Sequence, residues 1–417
     1  MTKRAHVIGA GLAGLSAAVR LAEAGYRPAL WEAGPQAGGR CRSYFDEVLG
    51  CRIDNGNHLL LSGNKAARDY LTTIGAGESL AGPETATFPF IDLATSERWT
   101  LSLGGRLPLW LFDAKRRVPG TGILDYLTLW RFLRVRGDQT VRDLVGDPPI
   151  LYRRFWQPLA VAVLNTEAEA GAARLLTPVL RETFLKGADS CRPLIAREGL
   201  SESFVDPALA WLGLRGARFL TGARVRGLTF DESRVTGFEA GSERIEVGPD
   251  EPVILAVPPG IAASLVPGLT VPHDFRPIVN AHFVLPEAAQ RPGVEIVGVI
   301  GGTTEWIFRR GNLASVTISA ATHVIDESAE DLAPRLWDEV ARVLDLGPLP
   351  LPPWRIVKEK RATFAQTPAQ LARRPGTRTK WRNLMLAGDW TDTGLPATIE
   401  GAIRSGVTAA AAVGRPE

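Results

Sequence analysis

A short apolar run, Ala5 to Ile8, leads into glycines at Gly9, Gly11 and Gly14, and an alanine- and leucine-rich stretch then runs from Leu12 to Ala24. A second apolar run, Pro28 to Trp31, ends in the acid Glu32, followed by Ala33. Strand, glycine turn, helix, strand and acid in that order form the context in which GxGxxG marks a dinucleotide-binding unit. Gly9 permits the tight turn, Gly11 lets the backbone approach a pyrophosphate, and Gly14 lets helix and strand pack closely. Leu12, Ala13 and Gly14 open the helix, where free N–H groups and the positive end of the dipole face an anion. Glu32 is placed to accept hydrogen bonds from ribose hydroxyls, and its charge repels a 2′-phosphate. A signal-peptide reading does not fit, because Arg20 and Glu23 interrupt the apolar run and no cleavage pattern follows.

Two further motifs narrow the ligand. Gly38-Gly39-Arg40 lies just beyond the second apolar run. Near the other end, Asn383 to Ala387 reads as a strand and continues into Gly388-Asp389-Trp390, and the stretch from Gly394 to Gly406 leads into an alanine-rich helix. Together these resemble the flavin motifs of the FAD-dependent amine oxidase and phytoene desaturase superfamily. The resemblance implies FAD as cofactor. It also implies an α/β architecture: a Rossmann-like FAD-binding domain interleaved with an α+β substrate domain of sheet plus helices. Gly39 allows close approach to phosphate, and Arg40 offers it a charge-assisted fork. By the same resemblance, Asp389 hydrogen-bonds the ribityl or phosphate region and Val225 contacts the adenine side. Gly56 and Asn57 then lie beside the flavin. Pro396, Ala397 and Thr398 mark the start of a helix aimed at the flavin pyrimidine ring, where a helix N-terminus stabilises the negative charge of the reduced form. Glu400 reads more simply as a first-turn acid that complements the dipole.

At 417 residues the chain exceeds one ordinary core and suggests two domains. The expected division places 1–75, 198–270 and 355–417 in the FAD-binding domain and 76–197 and 271–354 in the substrate domain. A net charge of +3, with no basic run interleaved with aromatics, argues against nucleic acid as a partner. The 3 cysteines have neither metal-ligand nor disulfide-framework spacing, which suits a reducing cytoplasm, and no metal site is expected. No second strand–GxGxxG–helix unit follows, so an external electron donor is required. No apolar stretch is long enough to span a bilayer. The expected location is therefore cytoplasmic, with peripheral attachment to the inner face of the membrane as an open alternative.

That alternative comes from residues 107–137, where Trp110, Phe112, Leu124, Trp130 and Phe132 mix with Lys115, Arg116, Arg117, Arg131, Arg134 and Arg136. Two readings stand: an interfacial helix dipping into a membrane surface, or a core helix with a basic solvent face. Further on, Phe155-Trp156-Gln157-Pro158 resembles a segment of isoprenoid desaturases, and Asp54-Asn55-Gly56-Asn57-His58 resembles their D-x-G-x-H segment. Asp54 as a turn residue and His58 as a structural histidine are the competing readings there.

Taken together with Gly199–Pro207, Glu305–Phe308 and the C-terminal motif, these segments most resemble the hydroxysqualene dehydroxylases, the squalene-associated FAD enzymes. The resemblance implies reductive removal of an allylic hydroxyl from a long-chain isoprenoid substrate. Such chemistry needs a general acid and π faces to stabilise an allylic cation. His58, oriented by Asp54, is the expected acid; Trp156 and Trp306 are the expected substrate contacts, although simple core packing is the competing reading for Trp156. A carotenoid desaturase, which needs no acid, and a non-catalytic prenyl-lipid escort resembling the GDP-dissociation inhibitors are the alternatives.

Overall fold

The computed structural model describes residues 3–105, 108–146 and 149–414. Leu107, at the start of the basic and aromatic segment, lies outside the described residues. The chain builds two main sheets. The first is parallel and five-stranded, with Lys3–Ile8 at its centre. Tyr26–Trp31 and then Arg218–Leu220 flank it on one side, Val253–Leu255 and then Leu384–Leu386 on the other. The apolar runs are short and nearly unbroken, as expected for strands covered on both faces. Ala5, Val7, Ile254 and Leu386 are fully buried.

Helices Leu12–Glu23 and Ile399–Ala412 follow the carboxyl ends of two of these strands, so both open at the same edge of the sheet. They cross closely. A Cβ on Gly406 would stand 2.2 Å from the Ala13 carbonyl oxygen, so only glycine allows this approach. Ser16 donates to the Ile403 carbonyl across the contact at 3.0 Å. Glu400 does more than meet its own helix dipole. Its carboxylate accepts from the amides of Ala66 and Ala67, the first turn of helix Lys65–Thr73, at 3.0 and 2.8 Å. Its Oε1 also meets Arg404, which bridges onward to Glu182. The last helix thus supplies a cap for a helix more than 300 residues earlier.

The second sheet has seven strands, in spatial order Trp354–Phe364, Phe275–Val284, Leu313–Ile318, Trp306–Arg310, Val294–Ile300, Thr87–Asp92 and Glu97–Ser102. Hydrogen bonds therefore carry this sheet past residue 354. One face packs through Phe283, Val316, Ile318 and Ile307 on helix Ala329–Val343. Ser328 caps that helix, its hydroxyl accepting from the Asp331 amide at 3.1 Å. The other face carries a row of polar residues, Asn280, His282, Ser315 and Thr317.

Helical segments from Pro108 to Ser190 cover one end of the sheet, packing Trp110, Phe155 and Phe184 on the cluster of Phe88, Phe90 and Trp99. They are anchored by Asp92, fully buried, which accepts from Arg153 at 2.7 Å and Arg154 at 3.4 Å. Within this cover, the helix expected in residues 107–137 is, at its centre, a 3₁₀ turn, Ile123–Leu127, joined to a short α-helix, Thr128–Phe132. Tyr126 and Phe132 point inward, while Leu124, Leu127 and Trp130 are 77%, 54% and 59% exposed. The outward face is therefore apolar as well as basic, unlike that of an ordinary core helix.

Candidate flavin and substrate site

The glycine turn has the geometry its spacing implies. Gly9 has φ +100°, and a Cβ there would lie 2.5 Å from the Ala256 carbonyl oxygen. A Cβ on Gly14 would come within 1.9 Å of the Gly9 carbonyl oxygen. At Gly11 nothing stands within 4 Å of the added carbon, so that side of the loop is open. Gly11 is the N-cap of the first helix and contributes no side-chain bond, which leaves the opening N–H groups of Leu12, Ala13 and Gly14 for an anion. Glu32 already holds the loop: its two oxygens accept from the amides of Ala10 and Gly34 at 2.8 and 2.7 Å. Each oxygen keeps a lone pair for a further donor. Ala33 follows it on the surface, and Val225 lies buried at the start of the neighbouring hairpin.

Gly39 touches this loop, since a Cβ on it would lie 3.4 Å from Gly11 Cα. The next residue, Arg40, pairs with Asp389 at 2.8 Å and also donates to the Ala362 carbonyl. The carboxylate raises the Arg40 pKa further above its ordinary value. The motifs from opposite ends of the chain thus meet in one ion pair beside the glycine loop. Gly388 adopts φ +150°, and a Cβ would strike the Trp390 indole at 2.3 Å.

The last helix begins one residue later than its motif suggests. Thr398 is its N-cap, its hydroxyl accepting from the Gly401 amide at 3.2 Å. Pro396 and Ala397 precede it, and the Ala397 amide is spent on Gln366 Oε1 at 2.9 Å. The free donors at this helix end are thus those after Thr398. Open glycine backbone, two helix N-termini at one sheet edge and a paired Arg–Asp couple fit a dinucleotide with an attached anionic ring.

Asp54 and His58 are close but not coupled as expected. Asp54 Oδ1 accepts from Ser43 Oγ at 2.6 Å and from the Leu200 amide at 2.9 Å, and Oδ2 accepts from Arg310 at 3.0 Å. With both oxygens committed to the framework, Asp54 has no hydrogen bond to His58. Burial pushes the His58 imidazole down to about pKa 4, and the Arg40 cation pushes the same way against an opposing pull from Asp54. At neutral pH the uncharged form of His58 is therefore favoured. It lines a cavity of about 20 Å³ with Asn57, Phe308, Arg310 and Ser315.

Gly56 and Asn57 lead directly onto the polar row of the second sheet. The Asn57 side-chain amide donates to Asn280 Oδ1 at 3.3 Å and Thr317 Oγ at 3.1 Å, and Thr317 donates to Asn280 at 2.9 Å. Asn280 Nδ2 would lie 3.3 Å from a Cβ on Gly56. Asn280 escaped the sequence reading. Its signal was the alternation Asn280, His282 inside an otherwise apolar strand, which marks one polar face.

The two tryptophans part company. Trp156 is only 1% exposed, stacks on Phe132 at 4.7 Å and donates its indole N–H to Thr128 Oγ at 3.0 Å. It is core, and its neighbour Phe155 is half-buried. Trp306 stands opposite Thr317 on the sheet and meets Phe90 edge-on at 5.6 Å. Trp306, Trp110, Phe155, Phe184 and Leu61 are all half-buried around one apolar cluster, forming an aromatic wall. Among the described residues, no group of three His, Cys, Asp or Glu could hold a metal ion. No helix among them is long and apolar enough to cross a membrane.

The family model for flavin-containing amine oxidoreductases matches residues 12–414. The chain is 53% identical to a hydroxysqualene dehydroxylase of Rhodopseudomonas palustris over 98% of both chains. It is 48% identical to one of Sinorhizobium fredii, again over 98% of both. Among solved structures, an oxidoreductase from Methanosarcina mazei superposes with a TM-score of 0.72 at 14% identity, covering 97% of this chain and 99% of that one, a likeness of fold. The chain belongs to the flavin-containing amine oxidoreductase family and, within it, to the hydroxysqualene dehydroxylases.

Proposed function

We propose that this enzyme binds FAD and reductively removes the allylic hydroxyl of hydroxysqualene to give squalene and water. The observation that carries the reading is the half-buried aromatic wall around Trp306, set beside Asn57 and Asn280 where the glycine loop and the seven-stranded sheet converge. Bound FAD, once reduced by an external donor, supplies the hydride. Gly9, Gly11, Leu12, Ala13, Gly14, Gly39 and Arg40 hold its diphosphate, with Arg40 kept in place by Asp389. Glu32, Ala33 and Val225 surround the adenosine half. Gly56, Asn57, Gly388, Pro396, Ala397 and Thr398 border the ring. Trp306 and Phe155 offer π faces to an allylic cation and exclude water from it, while Asn280 and Thr317 fix the polar edge.

A substrate this apolar resides in a bilayer, and the exposed Leu124, Leu127 and Trp130 beside Arg131 and Arg134 suit an anionic membrane surface. The test supplies hydroxysqualene anaerobically, in anionic vesicles or in detergent, to protein reduced with dithionite. Squalene should appear as the flavin reoxidises, and Leu124→Asp should slow turnover only with vesicles. Absence of squalene, with phytoene consumed instead by the oxidised protein, rules the reading out in favour of a desaturase.

A further inference from the structure

Hydroxysqualene carries one hydroxyl on an otherwise apolar chain, and an aromatic wall alone leaves that oxygen without a hydrogen-bond donor. We infer that Asn280 is the residue that recognises it: the side-chain amide donates to the substrate oxygen and so separates a hydroxylated isoprenoid from one without the hydroxyl. This inference rests on the dehydroxylation reading.

The sheet sets the position. Asn280, on strand Phe275–Val284, stands opposite Thr317, and Thr317 stands opposite Trp306 on the next strand. Residues paired in this way share one face of a sheet. Asn280 therefore lies two strand spacings from the aromatic wall, about 10 Å away. An isoprenoid lying along that face reaches both.

Hydrogen bonds set the orientation. The Asn57 backbone N–H can only donate, and it meets Asn280 Oδ1 at 3.3 Å. The Asn57 side-chain amide at 3.3 Å and the Thr317 hydroxyl at 2.9 Å donate to the same oxygen. Three donors on Oδ1 fix the amide flip, and Nδ2 turns to the opposite side. There it faces the bare Cα of Gly56, 3.3 Å from where a Cβ would stand, and His58 Nε2 lies 3.9 Å from the same point. Both nitrogens border the space in front of Gly56, the residue that lines the flavin ring in the proposed complex.

Asn280 is only 1% exposed, yet its Nδ2 has no acceptor among the described residues. A buried donor left without a partner is unfavourable, and a bound hydroxyl oxygen removes that deficit. Nearby polar groups are already engaged. Thr317 sits between Asn57 and Asn280, Ser315 meets His282 Nδ1 at 2.8 Å, and Arg310 is held by Asp54 and the Ala196 carbonyl. A donor aimed at the hydroxyl oxygen also stabilises the charge that gathers there as the carbon–oxygen bond breaks. Squalene offers this donor nothing, which favours product release.

The test measures binding to oxidised, FAD-loaded protein in detergent, where no dehydroxylation occurs, by following the flavin absorbance. The wild type should bind hydroxysqualene at least about 10-fold more tightly than squalene. Asn280→Leu has a similar shape and no donor. Asn280→Asp keeps an oxygen for the Asn57 amide and, ionised at pH 8, has no hydrogen to give. Both should lose the preference by weakening hydroxysqualene alone, with squalene affinity unchanged. Equal affinities in the wild type overturn the inference whether or not either variant folds. So does a preference that survives in the variants, or an equal loss for both ligands. A shifted flavin spectrum in the unliganded variants with the preference intact would assign the amide to the cofactor instead. Squalene formation by the reduced wild type is scored separately: its absence overturns the dehydroxylation reading, while the binding comparison still decides the role of Asn280.

Discussion

The parallel sheet and the seven-stranded sheet handle polar groups in opposite ways. At the edge of the parallel sheet the polar groups on offer are mostly backbone: glycines make room, and open helix amides stand beside one Arg–Asp pair. On the inner face of the seven-stranded sheet, side chains take over: Asn280, Thr317 and Trp306 stand side by side on neighbouring strands. The difference teaches where substitutions are absolute and where they are graded. A backbone site fails when a single carbon is added, whereas a side-chain site can be retuned one residue at a time.

The sharpest way to break this contrast is at Gly14. Gly14→Val places its side chain on the Gly9 carbonyl, 1.9 Å from where the Cβ alone would stand. Purified protein should be colourless and should fail to take up added FAD. A yellow variant with native affinity would show that the loop tolerates what its packing forbids.

The two tryptophans provide the next test. Trp156→Ala should lower unfolding free energy by about 3–5 kcal/mol, the usual cost of emptying a packed aromatic site. Trp306→Ala should cost less stability and should raise KM or depress turnover at intact flavin content. Chemical denaturation and steady-state kinetics on the same pair decide the matter, and reversed outcomes would exchange core and wall.

A smaller effect concerns the polar row itself. Burial holds the His282 imidazole down at about pKa 4, while in the unfolded chain it titrates near the ordinary 6.5. The unfolded state therefore binds more protons between those values. The stability this neutral histidine contributes is complete above pH 6.5 and is lost as pH falls toward 4, by about 3 kcal/mol. Denaturation midpoints across that interval should slope less steeply in His282→Gln. An identical slope would remove His282 from the acid sensitivity of the fold.

The contrast also explains what could be read from residues alone. Gly9, Gly14 and Gly388 announce themselves because backbone geometry demands glycine at fixed spacing, and the fold class follows from their order. Asp389 and Arg40 are legible as motif members, although their pairing with each other is not, since it joins positions 349 residues apart. Asn280 and Thr317 are polar residues in mostly apolar strands. Their significance depends on which face the strand turns inward, and that is set by partners far along the chain. His58 was visible, but the burial that lowers its pKa was not. Trp156 and Phe155 are neighbours whose roles depend on helix rotation, which a local π-helical turn over Tyr152–Trp156 sets.

The cap that Glu400 places on Ala66 and Ala67 has a consequence for biosynthesis. The glycine loop and its helix emerge first, but their partner helix, the Asp389 that holds Arg40 and the carboxylate that closes the 65–73 helix all belong to the final stretch of the described chain. An emerging polypeptide therefore carries a half-built nucleotide cradle, with unsatisfied amides at residues 66 and 67, until translation has passed residue 412. With FAD bound as proposed, cofactor capture comes late in the life of this chain, and apoprotein truncated before Gly388 is a natural target for chaperones and proteases.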